Sequence, residues 1–389
     1  MQDERMESAA VAAPRTGGKR VQPKEPRTQG GGSGKKAGAG RILLRTSAVL
    51  LTFVAALALT LLISLKMICS SAFPSAQQMF VTTILETGQL KFLASWFLSS
   101  EEIQEIVDKN SMKALNASVD AALIQVGGSG VVSVGGDGEE DSGEPIEIVE
   151  VAGANYTGTM MIVKDPSRVS LATIYPWREI GVPLDELVAS AGAIGGINGG
   201  LYNSYNNSGG KPYGVIVSHG EIQYNKPQEF PGLVLIGFTE DNILEIIDIS
   251  KLNAAGVEEL VQERKIRDAV TFQEEASDAN NHFVQLIINN EAREMNGMGS
   301  GLNPRTAIGQ RADGAVLLFV TDGRGKAGHL GASSGDLIGV MQEFGAVNAA
   351  NLDGGSSSCM YYDGKYLMDS VTFYQANSSW KLPAGFIVT

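Results

Sequence analysis

Two short stretches of the sequence place a carboxylate directly after an apolar run and directly before glycine. Asp322 lies in "LLFVTDGRG" (317–325), and Asp353 lies in "NLDGGSSSCM" (351–360). Two carboxylates in different surroundings can divide the work of breaking a glycosidic bond, one as acid and one as base or nucleophile. The sequence therefore predicts Asp322 and Asp353 as catalytic carboxylates, able to activate water and to orient a sugar.

Two arginines accompany these carboxylates. Arg324 follows the first Asp-Gly pair, and Arg305 lies in "GLNPRTAIG" (301–309). Guanidinium groups grip phosphate with forked hydrogen bonds, and the N–H groups of a Gly/Ser loop can cradle the remaining oxygens. We therefore expect an anionic substrate to be bound by the side chains or backbone of Arg305, Arg324, Gly354, Gly355, Ser357 and Ser358.

A fourth stretch, "GGINGGLYN" (195–203), places Asn198 at the end of another apolar run. Each of the four stretches also has a simpler reading, because Asp-Gly, Asn-Gly and Gly-Gly-Ser are common in turns and loops. Their joint occurrence after apolar segments favours a site, because binding and catalytic residues are often carried by loops on a rigid scaffold.

The segments "INGG", "NPRTAIG", "DGR" and "NLDGGSSSCM", in this order and spacing, resemble the phosphodiester glycosidase family over about residues 146–389. That family includes the lysosomal uncovering enzyme, which removes N-acetylglucosamine from a sugar phosphodiester, and bacterial proteins described as exopolysaccharide-related. The resemblance implies a hydrolase with a carbohydrate phosphodiester substrate. It also implies a polar set in which Asp322 and Asp353 are catalytic and the remaining members bind substrate: Asn198, Arg305, Thr306, Arg324, Ser357 and Ser358.

The sequence departs from the family pattern at several positions. Asp336, on a predicted helix after the "DGR" turn, stands where relatives usually have Glu, so the resemblance implies a third catalytic carboxylate that is one methylene shorter. Ser356 replaces a usual third glycine, and Cys359 replaces a usual threonine. Leu201 and Tyr202 stand in place of an aromatic pair.

Other chemistries are less well supported. The three histidines, His219, His282 and His329, are scattered and form no H-E-x-x-H pair, which argues against a zinc hydrolase. We interpret His219 as part of a hairpin turn and His329 as a surface-loop residue rather than a pocket residue. Ser357 and Ser358 lack the G-x-S-x-G elbow and are interpreted as donors. No cofactor or metal is predicted, although a divalent cation would be compatible with the carboxylates.

The charge distribution indicates a membrane protein rather than a nucleic-acid-binding one. The net charge of −13 argues against a nucleic-acid partner, yet residues 1–45 hold ten basic and four acidic side chains. Residues 46–65 are uncharged, and about 20 apolar residues span a bilayer core of ~30 Å. A cleaved signal peptide would have an apolar region of only about 7–15 residues.

The sequence therefore predicts a basic, disordered cytoplasmic tail (1–45) and one transmembrane helix (46–68). Basic residues before the helix place the N-terminus inside and the remainder of the chain outside the cell. A helical juxtamembrane stalk (69–126) follows, with a helix break at Ser99-Ser100. Trp96 and Phe97 on it could face the membrane, the outer domain or a second copy, so self-association through the stalk stays open. A Gly-rich acidic linker (127–145) precedes the glycosidase domain (146–389).

Within residues 146–389, short β-rich runs alternate with Gly, Pro, Asn and Asp. Helical patterns occur at 184–193, 253–263 and 334–344. Because these helices do not alternate regularly with the strands, the pattern predicts an α+β domain with a mixed, mainly antiparallel β-sheet and few helices.

Two functions fit these observations. The first is an extracellular phosphodiester glycosidase that hydrolyses the sugar–phosphate bond of an N-acetylglucosamine-type glycosyl-1-phosphodiester in cell-surface polysaccharide or teichoic-acid-like metabolism. The alternative is a non-catalytic scaffold that binds anionic cell-surface polymer during exopolysaccharide export or attachment. Turnover, rather than affinity, separates the two.

Overall fold

The computed structural model describes residues 36–70, 72–87, 90–127, 144–371 and 377–389. Most of the predicted tail and of the predicted linker lie outside these residues. The described residues divide into two compact units, of which the first ends at Leu62 and the second begins at Ile63.

The first helix, α1, spans Lys36–Ile68 and contains the predicted membrane segment. Among the described residues, Gly40–Ile68 is the one helical stretch long and apolar enough to cross a membrane, judged by length and composition. Its 29 residues correspond to about 44 Å of helix, which exceeds the ~30 Å bilayer core.

The second unit contains six further α-helices among its described residues. They are α2 (Pro74–Leu85), α3 (Phe92–Ser95), α4 (Ser100–Lys109), α5 (Leu184–Ser190), α6 (Ala254–Arg264) and α7 (Ser334–Glu343). The break expected at Ser99-Ser100 is present, because Ser99 caps α4 and forms a capping box with Glu102. The other three predicted helices correspond to α5, α6 and α7.

The segment after α4 is not a separate stalk. Residues 110–120 contain no helix, and Arg293 donates hydrogen bonds to the carbonyls of Met112 and Lys113. Met112, Val119 and Ile124 are buried within the apolar clusters of the β-domain. The predicted stalk is therefore α-helical only as far as Lys109, has one further 3-10 turn at Ala121–Leu123, and belongs to the same compact unit as the domain.

Nineteen strands follow in the described residues. They are β1 (Ile146–Ala152), β2 (Thr157–Val163), β3 (Val169–Thr173), β4 (Gly195–Asn198), β5 (Val215–Ser218), β6 (Glu221–Asn225), β7 (Leu233–Thr239), β8 (Leu244–Asp248), β9 (Ile266–Gln273), β10 (Glu275–Ala276), β11 (Asn281–His282), β12 (Gln285–Ile288), β13 (Glu291–Ala292), β14 (Thr306–Arg311), β15 (Val316–Thr321), β16 (Ala346–Asn351), β17 (Met360–Tyr362), β18 (Lys365–Met368) and β19 (Ala384–Val388).

The strands form one seven-stranded sheet with the order β1-β2-β15-β14-β16-β12-β13. Two five-stranded sheets have the orders β18-β17-β4-β19-β3 and β6-β5-β9-β7-β8, and β10 pairs with β11. The pairings between these described strands are antiparallel. The predicted α+β class with mainly antiparallel sheets is confirmed.

The seven-stranded sheet is apolar on both faces. In β15, Val316, Leu318 and Val320 face the main core, while Leu317 and Phe319 face a second cluster that includes residues of α7. This alternation follows from the two-residue period of a strand. It explains why the sequence of β15 is continuously apolar.

The order of strands also collects the polar motifs at one edge of the sheet. Thr306, at the start of β14, pairs with Val320 near the end of β15, and Ala307 pairs with Asn351 at the end of β16. Because these pairings are antiparallel, the start of β14 lies beside the ends of both neighbours. The "NPRT", "TDGR" and "NLDGG" segments therefore meet.

Phe386 lies where the two five-stranded sheets pack together, so its replacement tests how much this contact stabilises the fold. Its fully buried ring contacts that of Phe238 edge to face, with centroids 6.2 Å apart. We expect Phe386→Ala to lower the free energy of unfolding by about 3–5 kcal/mol, because it removes buried area and leaves a cavity. Denaturant titration of the full chain in detergent measures this change. Tyr205→Ala, at an exposed side chain, should change stability by less than about 0.5 kcal/mol; equal effects would contradict this account of the core.

Candidate active site

Asp353 lies in the loop that follows β16 and is the centre of the candidate site. Its carboxylate accepts hydrogen bonds from the Ser357 hydroxyl and from the N–H of Gly354. The Ser357 hydroxyl is also 3.0 Å from the hydroxyl of Tyr202, which is buried behind it. The carboxylate thus has a polar contact on its protein side while residue 353 keeps part of its surface open.

Burial raises the pKa of Asp353 from 3.8 to about 7. The hydrogen bonds from Ser357 and Gly354 and the positive charge of Arg324 oppose this shift, because they stabilise the ionised form. A carboxyl group with a pKa near neutrality is suited to accept or donate a proton at physiological pH.

Arg324 is the cation beside this carboxylate. Its Nη1 donates to the Ser356 hydroxyl at 3.0 Å, and its Nε donates to Oδ1 of Asn303 at 3.3 Å. The residue is exposed, although enough protein surrounds the guanidinium to lower its pKa. Gly355 has φ +64°, and a Cβ there would come within 2.6 Å of Nη2 of Arg324. Glycine at 355 therefore lets the loop approach this guanidinium.

Asn198 and Thr306 support the loop from below. The Asn198 Nδ2 donates to the carbonyl of Asp353 at 2.6 Å, and its Oδ1 accepts from the Thr306 hydroxyl at 2.7 Å and the Cys359 N–H at 3.2 Å. Asn198 is 1% exposed and Thr306 is fully buried. Both predicted substrate-binding residues therefore lie within the site but hold the loop rather than face solvent.

The backbone N–H groups predicted to bind an anion already donate hydrogen bonds within the protein. The Gly355 N–H donates to the carbonyl of Pro304, and the Ser358 N–H donates to the carbonyl of Gly355. The Gly354 N–H contacts the Asp353 carboxylate. Gly354 and Gly355 therefore shape the loop in this structure and do not offer free N–H groups to an anion. Ser358 Oγ is buried without a hydrogen-bond partner.

The sequence predicts that Arg305 faces the site and binds the substrate. In the structure its side chain does not face the site. Its guanidinium donates to the carbonyls of Ala332 and Gly301 and forms an ion pair with Glu86, a residue just after α2. The Arg305 side chain is only 4% exposed. The expected pair of phosphate-binding arginines is thus corrected to one exposed arginine, Arg324, and one buried arginine.

Asp322 and His329 form a pair that the sequence did not reveal. Oδ2 of Asp322 is 2.7 Å from Nδ1 of His329, and Oδ1 accepts from the N–H of Thr157 at 2.8 Å. Asp322 is buried, whereas the His329 side chain is 30% exposed. His329 is therefore not a free surface residue. One indication of this pair is present in the sequence, because His329 lies only seven residues after Asp322.

Asp336 has a local structural contact. Its Oδ2 accepts hydrogen bonds from the N–H of Ser333 at 2.7 Å and from the Ser333 hydroxyl at 2.6 Å, which completes a capping box at the start of α7. This contact accounts for an acidic residue at this position without a catalytic role. The implied catalytic role of Asp336 stays a prediction that these contacts do not support.

Within the described parts of the chain, no three His, Cys, Asp or Glu side chains converge as a metal-ligand group would. Asp322 and Asp353 follow β15 and β16, the two strands on either side of β14, so the strand ends that carry them lie roughly 10 Å apart.

The chain is similar to known proteins over its C-terminal part. A family profile described as phosphodiester glycosidase matches residues 191–389. A curated relative, the SPbeta prophage-derived uncharacterized protein YomE of Bacillus subtilis (strain 168), is 40% identical over 65 residues. That match spans 17% of this chain and only 10% of the relative.

Two solved structures are similar to the chain. One is the zebrafish N-acetylglucosamine-1-phosphodiester alpha-N-acetylglucosaminidase catalytic domain auto-inhibited by pro-peptide, with 17% identity and a TM-score of 0.48 over 66% of this chain and 86% of that one. The other is a hypothetical protein from Synechocystis, with 18% identity and a TM-score of 0.36 over 62% of this chain and 61% of that one. The profile match covers more than half of the 389 residues, so this chain belongs to the phosphodiester glycosidase family.

Proposed function

We propose that this protein is a membrane-anchored phosphodiester glycosidase that cleaves the sugar–phosphate bond of an N-acetylglucosamine-type glycosyl-1-phosphodiester outside the cytoplasm. Cell-surface polysaccharide or a teichoic-acid-like polymer is the proposed source of substrate. The observation that carries the proposal is the pairing, in a chain of this family, of Asp353 at a pKa of about 7 with the exposed Arg324.

In the proposed mechanism, Arg324 binds a non-bridging oxygen of the phosphate. The ionised Asp353 removes a proton from a water molecule, whose oxygen attacks the anomeric carbon. The bond between that carbon and the phosphate oxygen breaks, and its electron pair stays on the phosphate. Because a phosphate is a weakly basic leaving group, little protonation is needed.

Asp322 acts differently in this scheme from its predicted role. Its carboxylate contacts Thr157 and His329, so it orients the imidazole rather than touching the substrate. The exposed part of His329 is then the group available to the substrate from this pair. A carboxylate–imidazole pair of this kind holds one tautomer in place.

Replacement of Asp353 should separate an enzyme from a binding scaffold. We expect Asp353→Asn to lower kcat by about 10²–10⁴-fold, the usual contribution of a general base, while binding of a glycosyl phosphodiester changes little. Release of free sugar from the full chain in detergent measures turnover, and calorimetry measures binding. Asp108→Asn, at an exposed residue of α4, is the matched control and should retain activity within about threefold, because a surface substitution away from the site changes little.

Full turnover by Asp353→Asn would refute the proposed role of this carboxylate. An unmodified chain that binds anionic polymer but releases no sugar from any diester would favour the scaffold function.

The raised pKa of Asp353 predicts a pH dependence. If Asp353 is the base, kcat/KM should rise as pH increases through about 7, because the ionised form is the active one. The free energy of unfolding should change in the opposite direction and decrease as pH increases. The folded-state pKa lies above the unfolded value, so the stabilisation from the neutral carboxyl is present below about pH 4 and is lost as pH rises through about 7.

Asp353→Asn should therefore remove the ionisation from the rate profile. It should also become relatively stabilising above pH 7, by a few kcal/mol at most, since one pKa unit is worth about 1.4 kcal/mol. Rate profiles and denaturant titrations at pH 5 and pH 8.5 measure the two effects. A profile with the same midpoint in the variant would show that another group titrates.

The apolar helix Gly40–Ile68 supports membrane anchoring with the N-terminus inside. We expect the full chain to remain in the membrane fraction after an alkaline carbonate wash, and protease added outside intact cells to remove residues 144–389. Leu57→Arg, near the middle of the helix, should reduce insertion because a central Arg costs about 2.5–3.5 kcal/mol. Recovery of an intact soluble domain lacking the helix would instead indicate cleavage.

A further inference from the structure

The end of α2 contacts the segment that leads into β14. The Leu302 N–H donates to the Thr83 hydroxyl at 3.1 Å, and the Gly301 N–H donates to Oε1 of Glu86 at 2.8 Å. A Cβ at Gly301 would lie 2.3 Å from the backbone of Thr83, so only glycine permits this approach. The helix thus binds directly to the backbone that precedes Arg305.

Glu86 is buried at this contact. Its Oε2 is 2.5 Å from Nη2 of Arg305, and the two side chains are 3% and 4% exposed. The Arg305 guanidinium also donates to Ser300 Oγ and to the carbonyls of Gly301 and Ala332. Glu86 therefore balances a cation that would otherwise be buried without an opposite charge.

Asn303 connects this ion pair to the site. Its Nδ2 lies 3.3 Å from Oε2 of Glu86 and 3.4 Å from the carbonyl of Thr83, while its Oδ1 accepts from Nε of Arg324 at 3.3 Å. Both neighbours on the α2 side are acceptors. They require the NH2 group of the amide to face α2, and this orientation turns the amide oxygen toward Arg324.

We propose that Glu86 is a positioning residue of the active site. Through Asn303 it fixes the guanidinium of Arg324, which binds the phosphate in the proposed function on which this inference rests. The catalytic arrangement is completed by a residue that precedes residues 146–389, the part of the chain in which the sequence predicts the whole site.

The contacts favour a permanent structural partner over an occupant that substrate must displace. Gly301 and Thr83 are in direct backbone contact, and the chain that follows α4 continues into the domain core at Met112, Val119 and Ile124. Removing one member of a buried ion pair is strongly destabilising, because the other charge is left unpaired. A displaceable group would be held by fewer contacts.

The test compares Glu86→Gln with Glu105→Gln in the full chain in detergent. In the first variant the Gly301 N–H holds the amide oxygen of Gln at the position of Oε1, which leaves its NH2 group at the position of Oε2, beside both Arg305 and Asn303. The Asn303 amide then turns over to accept from this NH2 group and no longer accepts from Arg324. We expect KM for a glycosyl phosphodiester to rise about ten- to a hundredfold, which corresponds to about 1.4–2.8 kcal/mol, the range of a hydrogen bond to a charged group, with kcat changed less. Glu105 is an exposed residue of α4, and its variant should behave as the unmodified chain.

A second variant distinguishes positioning from loss of structure. In Glu86→Gln combined with Asn303→Asp, the new carboxylate can accept both from Gln at position 86 and from Nε of Arg324. We expect this double variant to recover most of the lost affinity. A merely structural role for Glu86 predicts no recovery, because the double variant still lacks the ion pair with Arg305.

A measurement without substrate keeps the inference separate from the proposed function. With 15N-labelled arginine, the Nε–H signal of Arg324, identified by its loss in Arg324→Lys, should exchange slowly in the unmodified chain and rapidly in Glu86→Gln. The signal reports positioning even if no diester is hydrolysed, in which case only the proposed function fails. Unchanged KM and Nε–H exchange in Glu86→Gln would overturn the inference. Higher activity in that variant would also overturn it, because Glu86 would then be an occupant of the site.

Discussion

The antiparallel pairing of β14 with β15 on one side and β16 on the other is the constraint on which the site depends. It brings the start of one strand beside the ends of two others, so three polar loops leave the sheet at the same edge. The strands themselves are buried and apolar, which fixes their register because a shift of one residue would turn the apolar side chains to the opposite face. The packing of the buried strands therefore fixes the positions of the loop residues at this edge.

Electrostatics then decides which of these residues can act. Both arginines of the cluster have a carboxylate nearby, but the two surroundings differ. Arg305 and Glu86 are buried together and neutralise one another. Arg324 and Asp353 keep access to solvent, and burial raises the pKa of Asp353 more than Arg324 lowers it. The same types of side chain therefore serve structure at one position and, in the proposed function, chemistry at the other.

Much of the fold could be predicted from the sequence, because most strands carry β-rich runs bounded by turn residues. His219 illustrates a correct local prediction, since it has φ +52° between β5 and β6. Strand β9 is harder to predict, because its sequence "IRDAVTFQ" contains the charged residues Arg267 and Asp268. Asp268 is fully buried beside Arg267 and accepts from the N–H of His219. Only the three-dimensional partners make such a charged sequence compatible with a central strand.

The site, like the fold, could be predicted where local sequence is sufficient but not where distant partners decide. Local motifs identified Asp353 and Arg324, each of which lies in a loop directly after an apolar strand and keeps access to solvent. The contacts of Arg305 depend on Glu86, which is 219 positions earlier, and those of Asp322 depend on the conformation of the loop that carries His329. A motif states that a cation is present but not which anion neutralises it. Long-range partners therefore changed the interpretation of residues that were correctly noticed.

The neutralisation of Arg305 has a consequence for the proposed reaction. A glycosyl phosphodiester carries one negative charge, and Arg324 supplies one positive charge for it. The phosphate monoester leaves with a second negative charge, because the bonding electron pair stays on the phosphate, and it keeps that charge at neutral pH since the second pKa of a phosphate ester is near 6. Asp353, when ionised, repels this product more strongly than it repels the substrate. A site with one solvent-facing arginine is therefore better matched to a diester than to its product, and release of the monoester is favoured over retention.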